Sequence, residues 1–243
     1  MSTWQALYYS DLQSLWALLV VPFGFLAFRL VAGSAAQRSP TPRETAFIGA
    51  YCLAWTVETM LDPIIGGPVS QALGWSNHFA GTIVMFLFVL LGDLRVFVLV
   101  FGLAGGGRVP WPRTLGLLFV VPLTTGILYG TAAWWNPEIH GQVMWLTYEL
   151  SFVGMTIWLA RKELPPNLAE DRPELAAMLR TCLGYVAAYY SLWAACDVLI
   201  LLDIEEGWAL RMVPNQLYYA LWVPFVYLAH AHYSGRASSG PDR

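Results

Sequence analysis

Charge is what this chain has least of. Only 12% of its 243 residues are Asp, Glu, Lys or Arg, about half the share of a soluble domain. Lysine is almost missing. The only one, Lys162, falls between two apolar runs, so a retinal Schiff base on a membrane-buried lysine is excluded. Three cysteines (Cys52, Cys182 and Cys196) all sit inside apolar runs. They read as small buried hydrophobes rather than a disulfide framework. Four histidines lie at the edges of runs, His78 and His140 at one side and His230 and His232 at the other. No three-histidine zinc site can close from them. The imidazoles of "HAH" (230–232) diverge around a helix. There is no basic tract and the formal net charge is −3, which speaks against a nucleic-acid partner. The flank "MSTWQALYYSD" has no basic residue and no small-residue cleavage site follows the first run, so that run is not read as a signal peptide. Clustered aspartates for magnesium diphosphate are missing too, "ETMLD" being only a pair, and "GGG" at 105–107 has no phosphate-loop context. Neither a cofactor nor a metal site is expected.

What remains is apolar. The sequence is 57% hydrophobic and 15% aromatic. Seven runs are long enough for a hydrocarbon core of about 30 Å, near 12–33, 44–64, 79–103, 114–135, 140–161, 176–203 and 213–234. The expected fold is an all-α, multi-pass bundle of seven membrane helices forming one domain over 1–243, with a disordered tail at 235–243. Eleven of the thirteen Lys and Arg flank the first, third and fifth connections or lie in the tail, against Arg211 alone on the other side and Arg95 inside the third run. By the positive-inside rule the C-terminus is cytoplasmic and the N-terminus outside, in a cell membrane. Trp4, Trp75, Trp134, Trp135 and Trp208 read as interfacial anchors.

Ionisable groups inside spans cost roughly 2.5–3.5 kcal/mol each on insertion scales, so those that persist need a reason. Tyr51, Trp55, Glu58 and Asp62 form one helical stripe. Gln142, Trp145, Glu149 and Phe152 form a second; Tyr190, Trp193 and Asp197 a third; Asn215, Tyr219 and Trp222 a fourth. Each joins an acid or amide to aromatics one or two turns away. With the topology above, Glu58, Asp197 and Asn215 fall in the outer half and Glu149 near the midplane, all facing one expected cavity. Asp62, just before Pro63, borders it at a wetter helix end. Asp93 and Arg95 fall in the inner half and diverge on one helix, so Asp93 should find a donor on a neighbour. An acid buried without a cation is expected to stay protonated and able to give its proton. Aromatic faces stabilise a carbocation by roughly 0.5–2 kcal/mol each.

Size, span count, aromatic interior and "WTVE" at 55–58 together resemble the small integral-membrane terpene cyclases of meroterpenoid and indole-terpenoid pathways. The resemblance implies a metal-independent enzyme in which a membrane-embedded acid starts a carbocation cascade. Glu58 would match the family's second-span glutamate, and Asp197 is the candidate for its late carboxylate, here in the sixth span. "GILYGTAAWW" and "NQLYYALWVP" resemble the sterol isomerase and sigma-2 receptor superfamily, which also handles carbocations with membrane acids.

The reading is therefore a cyclase or isomerase acting on a lipophilic, isoprenoid-like molecule taken from the bilayer. Glu58, Glu149 and Asp197 are its acids. Tyr51, Trp55, Asp62, Trp145, Tyr190, Trp193, Asn215, Tyr219 and Trp222 line the substrate. The alternatives are a proton- or cation-coupled transporter, with a polar path continuing inward through Asp93 and Arg95, or a non-catalytic sensor or assembly protein. The topology is directly testable: alkaline phosphatase fused after residue 236 should be inactive in a bacterial host, whereas periplasmic activity would reverse the orientation.

Overall fold

The computed structural model describes residues 2–32, 42–75, 78–164 and 168–238, with backbone alone for residue 80 and for residues 235–238. Among the described residues every regular element is helical. The principal helices are α1 (Ala17–Ala32), α2 (Pro42–Ile64), α3 (Phe79–Ala104), α4 (Val120–Trp135), α5 (Gln142–Trp158), α6 (Pro173–Leu201) and α7 (Trp222–Ser238). Five helical stretches are long and apolar enough to cross a membrane: Leu12–Val31, Gly81–Ala104, Trp111–Trp135, Gln142–Glu163 and Pro173–Leu201. The other two expected spans are helical as well, but less apolar. They carry Glu44, Glu58 and Asp62 in α2, and Asn215, Gln216 and two histidines in the final run. Helix α7 runs through Ser238, four residues into the expected tail; 239–243 fall outside the described residues.

The molecule turns its oil outward. Val20, Val31, Phe79, Leu123, Ile127, Trp134 and Leu228 are each more than 60% exposed, while Asp93, Arg95 and Asp197 are fully buried. In water this distribution would be an aggregation surface; against lipid it is the stable arrangement.

Proline sets several helix features. Pro42 and Pro173 open α2 and α6, where the missing N–H costs nothing. Pro224 has no N–H to return to the preceding turn, and just upstream the run Met212–Ser238 widens to i→i+5 turns over Gln216–Leu221. Such a bulge releases carbonyls from the helical ladder. Two are taken by side chains: Tyr185 donates to Leu217 O at 2.9 Å and Arg95 Nη2 to Tyr218 O at 2.9 Å. At the end of α6, Asp203 adopts φ 58° and Ile204 N bonds back to Leu199 O at 2.9 Å, a left-handed closure that turns the chain sharply.

Helices α5 and α6 pack along most of their length, with Phe152 stacked on Tyr190 at 4.4 Å between centroids. Helix α3 runs against the widened turn so closely that a Cβ on Gly92 would overlap the Tyr218 hydroxyl. A bidentate ion pair from Arg172 to Glu44, at 2.6 and 2.8 Å, ties the start of α2 to the residue before α6. Gly92→Ala should therefore destabilise the fold by about 1–3 kcal/mol, read as a lower Tm in detergent. Gly116→Ala, with nothing within 4 Å of the added methyl, is the control that should leave Tm in place.

Candidate functional site

The polar residues of the interior do not share one cavity; they form three groups held together by aromatic rings. The deepest is built on α3. Asp93 accepts hydrogen bonds from Tyr148 of α5 and from Tyr190 of α6, the latter at 2.5 Å. The expected neighbouring-helix donor thus exists twice. Two residues on, Arg95 points the other way, as helix geometry requires. It bonds Tyr218 O and lies 3.9 Å from the Tyr218 ring centroid and 5.6 Å from that of Trp222. Among the described residues no carboxylate forms an ion pair with it. Tyr51 donates to Arg95 O at 3.1 Å and accepts from Trp222 Nε1 at 3.0 Å, which fixes the aromatic enclosure.

The second group is the α2 stripe. Tyr51 and Trp55 are buried, with ring centroids 6.0 Å apart. Glu58 stands at the edge of the buried face, half-buried beside the exposed Ala54, Val57 and Leu61. Its only hydrogen bond among the described residues is from Thr59, at 3.4 Å, and it joins no ion pair there. Asp62 lies beside Tyr219. Glu58, Asp62 and Asp93 all lie within electrostatic reach of Arg95, three carboxyls around one guanidinium.

The third group lies where α6 ends. Gly207 crosses α6 so closely that its Cβ would sit 3.0 Å from Cys196 O and 2.9 Å from Ile200 Cγ1. That approach lets Arg211, one turn later, reach Asp197 in a direct ion pair, with Glu149 Oε1 3.6 Å from its other terminal nitrogen. Arg211 Nε also contacts the Tyr8 hydroxyl at 3.3 Å, as does Asn215 Nδ2. Asn215 Oδ1 accepts from Trp193 Nε1 at 2.8 Å. Glu149 is 3% exposed and Asp197 0%.

The structure thus brings Glu149, Asp197, Trp193 and Asn215 together. It sets Glu58 with Tyr51, Trp55, Asp62 and Tyr219. Tyr190 belongs with Asp93, and Trp145 lies behind Tyr148, 6.3 Å between centroids. Trp222 is fully buried with its face toward Arg95. A cavity of about 430 Å³ lies elsewhere, lined by Glu44, Arg172, Glu174, His230 and Tyr233 among others. Arg211, Tyr148 and Tyr218 were not among the expected site residues. Arg211 had a readable signal, since it precedes Asn215 by four and Tyr219 by eight on one stripe.

Arg211 is the keystone of the third group, so Arg211→Met should cost about 3–5 kcal/mol by leaving Asp197 charged and unpaired. Adding Asp197→Leu should recover most of that loss, because an apolar pair replaces a buried ionic one. Thermal unfolding in detergent reads both; a double variant no better than the single would show the pair is not coupled.

No protein-family model, curated protein or solved structure matches this chain, and the functional reading rests on its residues.

Proposed function

We propose that this protein is a seven-span enzyme of the cell membrane, N-terminus outside, that protonates a lipophilic isoprenoid-like substrate and so drives its cyclisation or isomerisation. The observation that carries the reading is an excess of acid over base in an oily interior. Among the described residues the cations facing Glu58, Asp62, Asp93, Glu149 and Asp197 are Arg95 and Arg211. Uncompensated charge in such surroundings is costly, so bound protons or cations must offset the surplus. Asp197 is committed to Arg211 and Asp93 to two phenols. Glu58 is committed to neither kind of partner, and it stands at the border between the packed interior and the lipid-facing side of α2. A substrate dissolved in the bilayer reaches that border without crossing water.

In this mechanism the Glu58 carboxyl transfers its proton to an alkene carbon or an epoxide oxygen. For an alkene the π pair forms the new C–H bond. For an epoxide an oxygen lone pair takes the proton, and the C–O bond then breaks with its electrons going to oxygen. Either way a carbocation and a Glu58 carboxylate remain. A neighbouring alkene of the substrate attacks the cation, a new C–C bond forms, and the final loss of a proton from carbon returns one to Glu58. The step is a net isomerisation and consumes no oxidant or reductant. Arg95 stabilises the carboxylate between the two proton transfers. Trp55, on the same helical stripe as Glu58, and Tyr219 serve the cationic stage, since Trp222 and Tyr218 present their faces to Arg95.

A second reading, proton- or cation-coupled transport, is favoured by acid groups at several levels joined by ring contacts through Tyr189, Tyr190, Trp193 and Tyr218. The two readings separate on one variant. Incubated with a polyprenyl alkene or its epoxide, the wild-type protein should release a cyclised isomer that gains one deuterium in heavy water at the first protonated atom. Glu58→Gln should keep its Tm and lose about 10²–10⁴ in rate, the usual weight of general acid catalysis. Full turnover by Glu58→Gln would overturn the mechanism. Ion flux in proteoliposomes that Glu58→Gln abolishes, with no turnover of any polyprenyl probe, would install transport in its place.

A further inference from the structure

The group around Arg211 holds more acceptors than donors. Asp197 takes one terminal nitrogen of the guanidinium and Glu149 approaches the other at 3.6 Å. Nε goes to Tyr8. Glu149 Oε2 and Asp197 Oδ2 are both sealed from solvent and, among the described residues, receive no hydrogen bond. A buried acceptor without a donor costs about 1–3 kcal/mol, more when charged. With both acids ionised the group carries one surplus negative charge. Glu149 lies seven residues into α5 and Asp197 four residues before the end of α6, so the surplus sits about 6–10 Å inside the helix ends at 1.5 Å per residue.

We propose that Glu149, backed by Asp197 and Arg211, is a binding site for one monovalent cation, a proton or an alkali ion. One positive charge on Glu149 Oε2 makes the group neutral and supplies the partner that oxygen lacks. A divalent ion would overcompensate the single surplus charge. The groups facing Glu149 are Arg211 from the 206–211 turn, Asp197 and Cys196 from α6, and, through Arg211, Tyr8 from the N-terminal helix Thr3–Tyr8. Only the first is a cation. The site is separate from Glu58 and does not rest on the catalytic reading; it would serve a transporter equally as its outer loading point.

The test uses the full chain purified in detergent, with two measurements on wild type, Glu149→Gln and Glu58→Gln. The first is Tm in sodium, potassium or lithium chloride against choline chloride at equal ionic strength. The second is infrared detection of protonated carboxyls in light and heavy water. If an alkali ion occupies the site, wild type and Glu58→Gln gain Tm with that ion and Glu149→Gln does not. If a proton occupies it, wild type shows a deuterium-sensitive carboxyl signal that Glu149→Gln loses and Glu58→Gln keeps. Glutamine mimics the protonated acid, so Glu149→Gln should then match wild type in Tm. Glu149→Asp covers the case in which the amide variant fails to accumulate: it should shift the carboxyl signal or weaken the ion response. No alkali response in wild type together with no change of carboxyl signal in either Glu149 variant overturns the proposal, leaving Glu149 as a second ionised partner of Arg211. Because Glu58→Gln is scored separately for turnover, failure of this site and failure of the catalytic reading give different patterns.

Discussion

A guanidinium fully buried in an apolar bundle has to be satisfied somewhere, and the satisfaction of Arg95 organises the centre of this protein. Its charge is met by a backbone carbonyl and two aromatic faces rather than by a contacting carboxylate. The carbonyl belongs to the stretch where the helix widens, Gln216–Leu221. The faces are in place only because Tyr51 and Trp222 lock each other by a hydrogen bond. The approach of α3 to Tyr218 is possible only because residue 92 is glycine. A cation–π contact in a desolvated site is worth about 2 kcal/mol or more, so two rings and a charged hydrogen bond offset much of the insertion cost. The consequence for chemistry is that Arg95 stays a cation while no neighbouring acid is consumed as its contact partner.

That leaves the acids unequally committed, and the inequality gives them different properties. Asp93 has two short phenolic donors and no route to the surface; it works as a clamp across α3, α5 and α6. Asp197 has one oxygen in an ion pair with Arg211. Glu149 and Glu58 remain with incomplete shells, one at the end of the bundle and one at its flank. Burial, number of donors and distance to a cation separate the four more sharply than residue type does.

Much of this was readable beforehand. The stripes Tyr51–Trp55–Glu58–Asp62 and Asn215–Tyr219–Trp222 are interior-facing because helical period alone decides which side chains share a face. The divergence of Asp93 from Arg95, and the need of Asp93 for a donor on another helix, follow from the same 100° per residue. The expectation of one shared cavity had a weaker basis. Depth and face were legible, but which helices stand side by side was not, and neighbours decide whether two acids at one level meet. Arg211 looked like a lone flanking charge. Its place on the Asn215–Tyr219 stripe gave its face, but its partner depends on the crossing at Gly207, and a close approach between two backbones leaves no periodic mark in a sequence.

One segment takes part in every group. Between residues 211 and 222 it supplies Arg211 and Asn215 to the cluster at the end of α6, Tyr219 to the neighbourhood of Asp62, and Tyr218 and Trp222 to Arg95. It contains the widened turn, two of whose carbonyls accept from side chains, and Pro224 follows directly. A helix stretch with fewer internal hydrogen bonds resists displacement less than a regular one. A change of charge on Glu149 acts on Arg211, and Arg211 is covalently continuous, within three turns, with the rings that hold Arg95 opposite Glu58. On the proposed roles, a cation held at Glu149 and a proton moved at Glu58 would therefore be coupled through a single run of chain.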